Sequence, residues 1–199
     1  MAATSLSSKP NSKPTYVKPV ATQAVAAAVS APAMGTATSA YSQAAKVEEE
    51  PKFFMTKIYG GEGGNAFDHM NRQRVEKISV RAGKFVDSIA VTYMNSQTLK
   101  EGGDGGEEQS LVLPEGEYVN EVDLTEGNVI QSITFTTNKG RKLGPCGSGR
   151  CGGLAFMKEG NVVHVKAPDG YRLVGVCGRA GKWLDGIGFR WGPVPQRFR

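Results

Sequence analysis

A chain of 199 residues has room for one ordinary domain and a tail, or for two very small domains. Its formal charge of +5 is unevenly placed, with 8 Lys/Arg against 13 Asp/Glu over residues 51–138 and 12 against 3 over residues 139–199. No run approaches the roughly 18 apolar residues of a bilayer span, and His69 and His164 stand too far from each other and from the cysteines to read as a metal set.

Residues 1–50 come first, rich in Ala, Ser, Thr and Pro with Gly35 as their one glycine. Such a composition buries too little apolar surface to offset the entropy of ordering, so a disordered tail is expected. The Ala/Val stretch 20–33 follows Lys9, Lys13 and Lys18 as a signal peptide would, but Thr22 and Gln23 interrupt it and Ala is weakly apolar. Residues 1–46 lack acidic side chains, as organelle transit peptides do, yet they contain no Arg. The three cysteines cannot all pair: Cys146 and Cys151 are near enough for a local bridge, which leaves Cys177 over. An odd count argues against a strongly oxidising compartment, which favours the cytoplasm over secretion or an organelle.

From Phe53 onward the pattern is that of strands. Residues 78–80, 88–91 and 132–135 alternate apolar with polar or small side chains, and glycines break the runs at short intervals. No window carries a 3.6-residue period, so the reading is all-β. Residues 51–195 form one Gly-rich domain, and 196–199 a basic C-terminal tail with Arg197 and Arg199.

The domain repeats itself. Residues 81–91, 125–135 and 179–189 align without gaps, each with a Gly, three residues, an Asp or Gln, a small residue, an Ile and an alternating strand. Gly-rich loops recur between them at 60–64, 102–106 and, more loosely, 147–153. Each copy suits a sheet of four short strands that cannot bury its apolar face alone. The expectation is a prism of three antiparallel sheets around one core, with pseudo-threefold symmetry.

The segments 60–68, 86–89, 114–118, 135–141 and 181–185, in that order, resemble the jacalin-related lectins over about residues 53–193. The resemblance implies a β-prism of three four-stranded Greek-key sheets that binds carbohydrate at one end without a metal or other cofactor. It implies a primary site of Gly64, Gly181, Lys182, Trp183 and Asp185. The chemistry agrees. A sugar presents clustered hydroxyls, for which Asp185 supplies a charged acceptor, the turn supplies the N–H groups of Lys182 and Trp183, and Gly64 lets the backbone approach closely.

By the repeat, the second Gly loop pairs with the first turn. That gives a second site of Gly83, Lys84, Phe85, Asp87, Gly105 and Gly106. The third pairing joins 147–153 to 127–131, where Gln131 replaces the carboxylate, and is expected to be dead or weak. Galactose-preferring relatives are cleaved just before the counterpart of Gly64. Here Tyr59 runs unbroken into Gly64, which favours mannose or glucose, while Lys182 adds a lean towards acidic glycans.

An enzyme is disfavoured, because Asp87 and Asp185 should stand on different sheets, beyond the about 5–10 Å of a glycosidase pair. The competing readings are two: a scaffold prism with idle sites, and a binder of acidic or sulfated polysaccharide through Arg141, Lys142, Arg150, Arg172, Arg179, Lys182 and Arg190. Nucleic acid ranks low among partners, since aromatic residues for base stacking are sparse. A second copy of the chain, as in a homodimer, stays open as a partner.

Overall fold

The computed structural model describes residues 52–148 and 160–196. The expected tail, the loop containing Cys151, and Arg197 and Arg199 lie outside them. Among the described residues there are thirteen strands, and no helix is long and apolar enough to cross a membrane.

The second sheet contains β4 (Val75–Ala82), β5 (Val86–Tyr93), β6 (Thr98–Gly102) and β7 (Glu107–Val112) in the order β6-β5-β4-β7. The third contains β8 (Val119–Glu126), β9 (Ile130–Thr137), β10 (Lys142–Cys146) and β11 (Asn161–Lys166) in the order β10-β9-β8-β11. In both, the fourth strand returns beside the first, which is the Greek key. The first sheet is assembled from both ends of the domain. It pairs β12 (Tyr171–Ala180) with β13 (Leu184–Pro193), sets β3 (Asn65–Met70) beside β12, and fills the edge next to β13 with β1 (Phe54–Met55) and β2 (Tyr59–Gly60). The expected four strands become five because that edge strand is broken in two.

The threefold repeat extends to irregularities. Register shifts fall at Arg81/Ala82, Thr125/Glu126 and Arg179/Ala180, each just ahead of a three-residue turn. A second set falls at Val75/Lys77, Val119/Glu121 and Leu173/Gly175. Inside, Ile89, Ile133 and Ile187 take equivalent places and are each at most 1% exposed. Burial of such a side chain is worth ~1.5–3 kcal/mol. Phe135 and Phe189 meet edge to face with centroids 6.3 Å apart. Tyr93 donates its hydroxyl to the Val174 carbonyl at 3.3 Å, and burial pushes its phenol pKa up to about 12.

β12 and β13 are buried on both faces. Segment 53–58 covers their outer side: a Cβ on Gly192 would lie 2.7 Å from the Phe53 ring, and one on Gly188 would lie 3.1 Å from the Lys57 carbonyl. Cys146 and Cys177 are buried thiols, and burial raises both pKa values.

Candidate functional site

The three Gly loops and the three turns interlock in a ring at one end of the prism. Gly61 donates its N–H to the Asp185 carbonyl at 2.8 Å, and Gly103 does the same to Asp87 at 3.0 Å. Each loop also touches the next turn round. Gly61 packs on the Asn128 carbonyl and Gly103 on that of Lys182, while Ser148 donates its N–H and Oγ–H to the Lys84 carbonyl at 3.2 and 2.8 Å.

The first site joins the loop 60–64 to the turn 181–185. Gly181 N–H donates to the Trp183 carbonyl at 2.9 Å, closing the turn, and it also donates to the Asp185 carboxylate. Burial pushes the Asp185 carboxyl above its usual range, opposed by the Arg179 charge and by the backbone N–H groups of Gly181 and of Asp185 itself. Gly64 adopts φ +63°, and a Cβ there would lie 2.6 Å from Asp185 Oδ2. A Cβ on Gly63 would collide with the same carboxylate. The carboxylate is thus open to a ligand only because two glycines stand over it.

The second site repeats this arrangement. Gly83 N–H donates to the Phe85 carbonyl at 3.0 Å and to Asp87 Oδ2 at 3.1 Å. Gly106 adopts φ +60°, and a Cβ on Gly105 would fall 2.5 Å from Asp87 Oδ1. Lys84 and Lys182 are both exposed on their turns.

Two aromatic side chains depart from a simple role as contact surfaces. Phe85 is 5% exposed and packs edge to face on Trp183 at 6.1 Å, so Phe85 borders the second site through its backbone. Trp183 also carries the Lys182 ammonium 5.1 Å from its ring centre. The rings bridge the two turns, joining one site to the other.

The third pairing begins as expected, with Gly147 against the Gln131 carbonyl, where a Cβ would lie 2.3 Å away. Gln131 is wholly buried, and the glycine that enters β11 over its side chain is Gly160, where a Cβ would lie 2.7 Å from Gln131 Oε1. Gly160 therefore occupies the place of Gly64 and Gly106. Of the loop expected over 147–153, residues 149–153 lie outside the described residues.

Sequence reasoning passed over Arg81 and the positional role of Arg179. Arg179 donates Nε–H and Nη2–H to the Gly63 and Gly64 carbonyls, both at 2.8 Å. Arg81 donates likewise to Gly105 and Gly106 at 3.0 and 2.7 Å. The signal was present as Arg-Ala-Gly-Lys, shared by 81–84 and 179–182 but absent from 125–128.

Asp87 on β5 and Asp185 on β13 belong to different sheets. Among the described residues, the cations of the C-terminal third do not form one patch. Arg141 pairs with Glu117 at 3.0 Å, Arg190 pairs with Asp68, Arg172 is 8% exposed, and Arg150 lies outside the described residues. Among the described residues no three His, Cys, Asp or Glu side chains cluster as metal ligands would.

Comparison with known proteins gives one consistent result. The family model for the jacalin-like lectin domain matches residues 56–190. Horcolin from Hordeum vulgare subsp. vulgare is 34% identical over 143 residues, covering 66% of this chain and 91% of horcolin. The solved wild-type Malaysian banana lectin superposes with a TM-score of 0.61 at 26% identity, over 71% of this chain and 99% of that one. A mannose-binding lectin from champedak gives 0.59 at 25% identity, over 72% and 99%.

Proposed function

Because the chain belongs to the jacalin-like lectin family, we propose that it binds mannose- or glucose-type glycans at two places on one end of the prism, without metal or catalysis. The observation that carries this reading is the duplicated geometry. Two carboxylates, Asp185 and Asp87, each stand under a glycine pair whose carbonyls are held by an arginine of the adjacent strand.

In each site the carboxylate accepts from sugar hydroxyls, forming charge-assisted hydrogen bonds stronger than neutral ones. The turn's backbone N–H groups donate to neighbouring hydroxyls. Arginine fixes the Gly loop before the sugar arrives, so little ordering is needed on binding. Mannose or glucose is favoured over galactose by the unbroken chain from Tyr59 into Gly64 and by the similarity to the champedak mannose-binding lectin. Among the described residues, the pairing of Arg141 with Glu117 and of Arg190 with Asp68 speaks against a polyanion reading. Two sites on one chain would let a single molecule crosslink glycans by raising effective concentration.

The test is retention of the full chain on mannose–agarose at moderate salt. Elution by free mannose is expected. Elution by salt alone would overturn the reading.

A further inference from the structure

Among the described residues, nothing covers the outer face of the β4–β7 sheet as segment 53–58 covers that of β12 and β13. Ser79, Ser88 and Ala90 make a floor of short side chains, with Lys77, Arg81 and Lys100 standing around it, and together they bound a groove of about 450 Å³. That is the size of a ligand site. The strand pairing explains its shape: Ser79 lies opposite Ala90 and Ala90 opposite Lys100, while Thr92 lies opposite Thr98. One face therefore carries a row of hydroxyls between long cationic side chains.

The groove is continuous with the second sugar site. Arg81 lines it while donating to the Gly105 and Gly106 carbonyls. Asp104, inside the same Gly loop, lines it and pairs with Lys100. At the first site Ile58 takes the place of Lys100, two residues before the loop's first glycine, and closes over Gly186 and Gly188. The hollow there, about 460 Å³ beside Ile58, Glu62 and Arg179, has no hydroxyl floor.

We propose that this groove is a subsite for the chain of a neutral oligosaccharide whose terminal sugar sits at Asp87, so that the second site prefers longer glycans and the first does not. The inference rests on the reading of Asp87 as a sugar site. The charges fit a neutral chain. Glu108 lies 3.9 Å from Lys77 and 3.6 Å from Arg81, and Lys100 has Asp104, so two carboxylates offset all but one of the three cations and the walls offer both donors and acceptors. Thr92 and Thr98 share a hydroxyl–hydroxyl hydrogen bond of 2.9 Å and can donate or accept onward.

The experiment uses calorimetry on the full chain carrying Asp185→Ala, which leaves only the Asp87 site, with mannose and with a linear mannotriose. One or two added hydrogen bonds predict about a tenfold advantage for the trisaccharide. Thr98→Trp at the exposed rim and Ala90→Tyr on the floor should each remove that advantage and leave mannose affinity unchanged. Mannotriose binding that is detectable alone and lost on filling the groove would also support the subsite. If mannose binds but mannotriose binds no tighter, or its advantage survives both fillings, the groove proposal falls and the Asp87 site stands. If neither sugar binds, both fall together.

Discussion

Replacing Asp185 by Ala, in a chain already carrying Asp87→Ala, isolates the chemistry of the first site. Asp185 loses a charged acceptor for sugar hydroxyls, typically worth ~1.5–3 kcal/mol, so Kd should rise about ten- to a hundredfold. The fold should lose little. Gly181 N–H keeps the Trp183 carbonyl at 2.9 Å, and the flanking Leu184 and Ile187 remain fully buried, which limits the cost to about 1 kcal/mol. Titration calorimetry measures the first effect and urea unfolding the second. The pH dependence has a definite sign. Burial raises the Asp185 carboxyl pKa, and the sugar uses the ionised form. Affinity is therefore full above that raised pKa and is lost as pH falls through it, beginning at a higher pH than for an ordinary Asp. The same shift means that ionising Asp185 as pH rises costs the fold stability, so acid weakens binding without this group weakening the fold. A folded double mutant with the Kd of Asp87→Ala alone would refute the role of the carboxylate.

Deleting residues 1–48 should leave both cooperative unfolding and mannose binding intact, because the buried apolar core lies between Val75 and Val194; loss of the cooperative transition would contradict this. Ile133→Ala should cost ~2–5 kcal/mol by denaturant unfolding, since one core serves all three sheets, and a loss below about 1 kcal/mol would argue against that shared core. Arg179→Ala should weaken the Asp185 site several-fold and spare the Asp87 site, and Arg81→Ala should do the reverse. Each arginine holds its own Gly loop, and the two effects are separable in the single-site backgrounds.

Local and repeated features were legible in the sequence. The spacing from Gly83 to Asp87 and from Gly181 to Asp185 encodes a three-residue turn followed by an inward Ile, and the structure builds both turns that way. The family resemblance supplied the partner of the turn 181–185, and the repeat extended that pairing to the other two turns. What escaped depended on segments distant along the chain. Nothing in β13 announces that Phe53 and Ile58 will cover its outer face, because that contact closes the domain from end to end. Gly160 was hidden by the long stretch after Gly147, which breaks the short Gly-loop spacing. Phe85 and Trp183 each looked like the aromatic of its own turn, and only their packing across repeats ties the two sites together.

Two sugar sites on one chain, each made by one loop and one turn, would fix the number of sugars it binds. The most direct test is the calorimetric stoichiometry of mannose per chain. The expected values are two for the wild-type chain, one for Asp87→Ala, one for Asp185→Ala, none for the double mutant, and no change for Gln131→Ala, since an amide lacks the charge that strengthens the acceptor. A wild-type stoichiometry of one with Asp87→Ala silent would show that the turn 83–87 is only a turn, and would contradict the account.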